Sequence, residues 1–402
     1  MGKWEEKRLD EIASKVTDGS HNPPKKVEVG YPMYSGRNLI NGKLDFSNPS
    51  RYVDEEGFEK ENKRTNIQAG DIFLSIVGSI GLTAVVPEKF EPFVIQRSIA
   101  LIRTKENSEF LRYYFESPTF QNYLESNSKG AAQKGIYLTA LRATKIPLPP
   151  LPEQQRIVAK LDDLFAKIDQ AIGLLEENIT HTQALMGSVL DEEFGRLAKK
   201  YKTKTLPDVI KKDRHSIKRG PFGSALKKAF FVEKGYKVYE QKNAIKNDFS
   251  LGHYYINDEK FEELKGFQVV PGDIIISCSG TIGKIAIAPK NIKKGIINQA
   301  LLKISLDNSV ISNDYFTYFF KNFVNQGELK TKGAAIKNIV SVKELKKIPF
   351  ALPTLTEQNE IVKSIKQQEI LFESVLKTQN QKLNHLKALK SSLLDQAFKG
   401  EL

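Results

Sequence analysis

One proline-rich phrase, written twice, constrains this chain more than any other feature. It reads Ile146-Pro147-Leu148-Pro149-Pro150-Leu151-Pro152-Glu153-Gln154-Gln155 and returns as Ile348-Pro349-Phe350-Ala351-Leu352-Pro353-Thr354-Leu355-Thr356-Glu357-Gln358. Each proline fixes φ and moves the residue before it away from helical geometry, so the phrase is an extended lead-in. Glu153 and Glu357 then fall in a first helical turn, where a carboxylate complements the helix dipole. Apolar residues follow in steps of three and four. In the first copy they are Ile157, Leu161, Leu164, Ile168, Ile172, Leu175, Ile179, Thr182, Met186 and Val189. In the second they are Ile361, Ile365, Gln368, Phe372, Leu376, Gln379, Leu383, Leu386, Leu389 and Leu393. Such a spacing makes a coiled-coil seam. Helices of roughly 45 residues far exceed the usual ~11–12, which favours one mutual coil over two separate amphipathic helices on a globular core.

The domains before the helices are also duplicated. Gly30-Tyr31-Pro32-Met33-Tyr34 with Asn38 matches Gly235-Tyr236-Lys237-Val238-Tyr239 with Asn243. Gly70-Asp71-Ile72-Phe73-Leu74-Ser75 with Gly78-Ser79-Ile80-Gly81 matches Gly272-Asp273-Ile274-Ile275-Ile276-Ser277 with Gly280-Thr281-Ile282-Gly283. The chain is therefore a domain plus a helix, repeated: 1–150, 151–200, 201–350 and 351–402. Strands are expected at Ile72 to Val77, Thr83 to Val86, Ser98 to Ile102, Ile274 to Ser277 and Lys284 to Ala288. Helices are expected at Phe110 to Leu124 and Tyr315 to Gln326, giving an α+β class. The last helix can hide its seam only by running back along the first. The expected coil is antiparallel, with a pseudo-two-fold internal repeat and domains up to ~65–70 Å apart at ~1.5 Å per residue.

The formal charge of +13 is uneven. Residues 1–150 hold 21 basic and 19 acidic side chains, whereas 201–350 hold 27 and 14. The helices at 151–200 and 351–402 are nearly balanced, which suggests that a polyanion meets the domains and not the coil. The single cysteine, Cys278, excludes a disulfide framework and fits a reducing cytoplasm. No apolar run approaches the ~18 residues a membrane span needs, and Met1-Gly2-Lys3-Trp4 opens no signal peptide.

Catalytic motifs are weak. Asn22-Pro23-Pro24-Lys25 looks like the loop of amino-methyltransferases, but a lysine replaces the aromatic residue that would stack on a flipped base. Gly280-Thr281-Ile282-Gly283-Lys284 fails as a phosphate loop, because Cys278 stands where the first glycine belongs. Asp208 with Glu240 and Lys242 fits a loose nuclease pattern, and a metal-dependent site-specific endonuclease is the competing reading. A coiled-coil scaffold without DNA affinity is a third. The five histidines have no metal-ligand spacing. What survives is a duplicated set of polar, glycine-marked loops with residue types that bond phosphates and base edges. In the first half these are Ser20, His21, Lys25, Lys26, Arg37, Asn38, Ser79, Gln96, Arg97 and Lys134. In the second they are Lys218, Arg219, Ser224, Lys227, Lys242, Asn243, Thr281, Asn298, Gln299 and Lys337.

At these residues the chain resembles the specificity subunits of Type I restriction-modification enzymes. The Asp18-Gly19-Ser20-His21 loop, the Gly70-Asp71-Ile72 to Gly81 segment and the Ile146 to Ile157 lead-in carry the likeness. So does the ending Leu393-Leu394-Asp395-Gln396-Ala397-Phe398-Lys399-Gly400. The second lead-in departs at Ala351, Thr354 and Thr356. The resemblance implies two target-recognition domains on spacer helices, each reading one half of a split double-stranded DNA site. It implies two methyltransferase subunits docked on the helices, restriction and motor subunits joining them, and no membrane. S-adenosylmethionine, ATP and Mg²⁺ would then serve the partner subunits, leaving this chain without cofactor, metal or catalytic residue. Leu161, Ile168, Leu175, Ile365, Phe372 and Leu386 would form the seam.

Overall fold

The computed structural model describes residues 4–128, 134–327 and 342–402. It divides into two compact units, 1–176 with 380–402, and 177–379. In the first unit a four-stranded antiparallel sheet runs in the order Ala13–Asp18, Ile99–Thr104, Ile72–Ser75, Thr83–Val85. Alternate side chains leave opposite faces of a strand. Ile72, Leu74, Ala100 and Ile102 accordingly join a core with Phe110, Phe120 and Leu161. Phe73, Ile99 and Leu101 pack with Phe93 and with Tyr34 and Ile95 of a second sheet. That sheet is ordered Arg51–Val53, Tyr31–Tyr34, Val94–Ile95, with its last pair parallel. Burial on both faces explains why these central strands read as continuous apolar runs rather than alternating ones.

The second unit repeats the plan. Ile217–Arg219, Leu301–Ile304, Ile274–Ser277 and Ile285–Ile287 form its antiparallel sheet. Ile274, Ile276, Leu302 and Ile304 face Tyr315, Phe316 and Phe320, while Ile275 and Leu301 face Tyr239 and Ile297. Its second sheet again has a parallel pair, Tyr236–Tyr239 beside Gly295–Ile297. One expectation is corrected. The helix anticipated from Phe110 to Leu124 is two helices, Ser108–Glu116 and Pro118–Asn127. Ser117 separates them, accepting the Phe120 N–H through its hydroxyl, with Pro118 at the first helical position.

Both long helices form, at Leu151–Lys200 and Leu355–Lys399. Pairing is antiparallel within each unit. Asp169 meets Lys390 at 2.8 Å and Glu176 meets Lys387 at 3.5 Å in the first. In the second, Thr182 accepts from the Gln379 amide at 3.1 Å, so two polar seam positions partner each other. Leu161, Ile168 and Ile365 are buried, whereas Leu175, Phe372 and Leu386 are half-buried. Near the domains the buried stripe is wider than the seam the spacing implies. Phe165, Leu190 and Leu394 are buried there and Leu164 only half-buried, because each helix also packs on its domain.

A buried glutamine fixes each helix start to its domain. The Gln154 amide donates to Pro149 O and to a Glu106 oxygen, both at 2.8 Å, and its oxygen accepts the Asn107 N–H at 3.0 Å. Gln358 donates to Pro353 O at 2.9 Å and Val310 O at 3.1 Å, and accepts the Ser312 N–H at 2.8 Å. Both side chains are fully enclosed. Replacing Gln358 by alanine strands one buried N–H and two carbonyls, at about 1–3 kcal/mol for each group left unpaired. Gln154→Ala and Gln358→Ala should each lower unfolding stability by about 3 kcal/mol or more, measured by chemical denaturation. Values near zero would remove the glutamines from this anchoring role.

Candidate nucleic-acid interface

In each unit the polar loops cross at close quarters, and a glycine makes the crossing possible. A Cβ on Gly19 would lie 2.2 Å from Ile95 O, and one on Gly220 would lie 1.9 Å from Asn298 O. Around Gly19, Ser20 N–H donates to Ile95 O at 2.9 Å and Arg97 N–H to Ser20 O at 3.0 Å. Gln96 N–H reaches Tyr34 O at 2.9 Å, and Gly36 N–H reaches the Ser98 hydroxyl at 3.0 Å. In the second unit Gly220 N–H donates to Leu301 O, Asn298 N–H to Tyr239 O and Cys278 N–H to Ala300 O, all within 2.9 Å. The backbone thus gathers loops that are distant in sequence.

The glycine-rich turn beside them is held by one serine in each unit. The Ser75 hydroxyl donates to Ser79 O at 2.5 Å and accepts the Leu82 N–H at 2.8 Å. Ser277 does the same with Thr281 O at 2.6 Å and Lys284 N–H at 2.9 Å. Gly78, Gly81, Gly280 and Gly283 all have positive φ, so the turn needs residues without a Cβ. Gln121 donates to Gly81 O at 3.0 Å, and Gln241 donates to the carbonyls of Ser279 and Thr281. Ser79 and Thr281 are presented to solvent on a braced turn.

The candidate residues separate into those left outside and those used internally. His21, Lys25, Lys26, Arg37, Ser79, Arg97 and Lys134 are exposed, as are Ser224, Lys227, Thr281 and Gln299. Gln96, Lys242 and Asn298 are half-buried, Lys242 in an ion pair with Glu240 at 2.8 Å. Three assignments are corrected. Ser20 is buried and donates to Glu61 at 2.8 Å. Asn38 and Asn243 are buried too, each carboxamide closing a local turn, onto Ser35 N at 3.0 Å and Glu240 N at 2.7 Å. Lys218 is diverted inward, its ammonium 4.2 Å from the Phe267 ring and 3.3 Å from His215 Nδ1. Arg219 is half-buried, its guanidinium 5.0 Å from the Phe222 ring. Lys337 lies outside the described residues. Sequence reading passed over Phe222, because an exposed aromatic in a loop carries no periodicity to mark it off from a core residue.

The nuclease constellation does not assemble. The Asp208 carboxylate caps a short helix, accepting the Thr205 N–H at 2.8 Å, and these hydrogen bonds hold it below the usual carboxylate range. Among the described residues no acidic, histidine and cysteine cluster could hold a metal ion. Cys278 is enclosed, and burial pushes its thiol up to about 11.

A family model for the Type I restriction modification DNA specificity domain matches the chain twice, over residues 1–177 and 198–385. The chain belongs to that family. It is 24% identical over 332 residues to the EcoBI specificity subunit of Escherichia coli, covering 78% of this chain and 70% of that one. It is 25% identical over 404 residues to a putative MjaX specificity subunit of Methanocaldococcus jannaschii, covering 94% and 89%. A chain from a type I R-M system described for its complex assembly has the same fold, with TM-score 0.75, 22% identity and coverage of 100% and 98%. The HsdS subunit of Thermoanaerobacter tengcongensis gives 0.55 at 22% identity, covering 99% and 97%. This chain is therefore a non-catalytic DNA-specificity component, and the endonuclease reading of Asp208, Glu240 and Lys242 is unsupported.

Exposed cations in these loops should contribute charge neutralisation. Arg37→Ala with Arg97→Ala should reduce the slope of log K against log salt by about one for each phosphate no longer neutralised, at most about two. A slope equal in variant and parent places these arginines off the phosphate backbone.

Proposed function

We propose that residues 1–150 and 201–350 act as two target-recognition domains, each reading one half of a bipartite double-stranded DNA site. The helices at 151–200 and 351–402 set the unread spacer and carry two methyltransferase subunits, to which restriction and motor subunits add. Two matches to the DNA specificity domain, each over a unit with the same four-stranded antiparallel sheet, a second sheet holding a parallel pair, and converging loops, carry this reading. S-adenosylmethionine, ATP and Mg²⁺ belong to the partners, and this chain uses no cofactor of its own. No helix among the described residues is long and apolar enough to cross a membrane, and a cytoplasmic place suits a DNA-bound assembly.

The contacts come from loop residues, the exposed His21, Arg37, Ser79 and Arg97 with the half-buried Gln96 in one domain, and the exposed Ser224, Thr281 and Gln299 with the half-buried Lys242 in the other. Side-chain contacts to base edges specify, while those to phosphates position. Reconstituting the chain with the methyltransferase subunits of its own system tests the proposal. Sequencing of methylated DNA should return two short conserved blocks separated by a fixed unread gap. A single continuous motif, or methylation independent of this chain, would contradict it.

A further inference from the structure

The two crossing glycines align the loops residue for residue. Gly19 N–H donates to Ile99 O at 3.0 Å and Gly220 N–H to Leu301 O at 2.9 Å, two equivalent points of the two sheets. Two residues on stand His21 and Phe222, one ring in each domain, with 59% of the His21 side chain and 60% of Phe222 exposed. Each ring is held by the side chain three residues before it. Asp18 accepts from His21 Nε2 at 2.6 Å, and is itself fixed by Arg64 Nη1 at 3.2 Å. The Arg219 guanidinium lies 5.0 Å from the Phe222 ring centre, within cation–π range. Its Nε is enclosed without a hydrogen-bond partner among the described residues. The backbone beneath both rings is clamped, since neither glycine has room for a methyl group. Each domain thus presents one exposed, oriented ring at the same point of its loop crossing.

We propose that His21 and Phe222 are one reading position in two versions, and that their difference makes the two half-sites differ. The inference rests on the proposed function. The chemistry of each ring selects its base. His21 Nε2 lies on the Asp18 carboxylate, and in the neutral tautomer that donates there Nδ1 is left as the acceptor a base would meet. The major-groove donors are the amino groups of adenine and cytosine, so His21 takes one of these. Phe222 has no polar atom, and the apolar group of the major groove is the thymine methyl. Phe222 therefore packs against a thymine of the second half-site.

The test exchanges the rings in the full chain, assembled with the methyltransferase subunits of its own system, and maps methylated sites. His21→Phe should change one position of the first half-site from adenine or cytosine to thymine, and Phe222→His should make the reverse change in the second. Each exchange should shift preference at that position by roughly 2- to 12-fold and leave the other half-site unaltered. For an exchange that prevents assembly, the parent is used instead. Deoxyuridine is placed for each thymine of the second half-site in turn, on either strand. Loss of one methyl should weaken binding about fourfold at one position, and Phe222→Ala should erase that difference. Exchanges that methylate the original motif, or a parent indifferent to every deoxyuridine, overturn this inference alone. A parent assembly that recognises no two-part site overturns the proposed function and this inference with it.

Discussion

The fold depends on a buried carboxamide at the first turn of each long helix. Gln154 and Gln358 each connect three things: the proline lead-in, the first helical turn and a loop of the adjoining domain. A buried amide with all its partners satisfied is orientation-specific in a way that apolar packing is not. The Phe398 ring in the first unit and Phe194 in the second add apolar contact beside these locks. Each long helix is thereby tied at its start to its own domain.

Further from the helices, the same logic shapes the loops. Glycine at two crossings and serine under two turns replace secondary structure as the source of rigidity. Side chains such as Ser79, Arg97 and Gln299 then remain free for a ligand because backbone bonds, not they, support the loop. Asn38 and Asn243 show the converse. Their polarity is consumed in holding Asp45 to Asn48 and Asp248 to Leu251 in place.

The repeat, the two helices, their antiparallel pairing and the α+β class were legible in the sequence, because each rests on a period or an ordered match. Local boundaries were less so: the break at Ser117 is a cap followed by proline, a signal hidden inside a convincing apolar run. Half of the seam sample was only half-buried, since a seam position shows its spacing and not how much of a domain covers it. The site was read least well. Ser20, Asn38 and Asn243 have the composition of a binding residue, yet a short polar side chain bonds its own backbone as readily as a base. The equivalence of His21 with Phe222 was hard to see, because one ring is polar and the other apolar and the glycine crossing is what aligns them.

The central claim is that the helices measure the gap between two independently read half-sites. Inserting four residues in both helices, near Glu176 and near Gln379, adds one turn and about 6 Å while keeping the seam in register. With base pairs rising ~3.4 Å along each strand, the methylated motif of this variant should show the unread gap longer by one or two pairs, with both half-sites unaltered. An unchanged gap, or altered half-sites, would contradict the account.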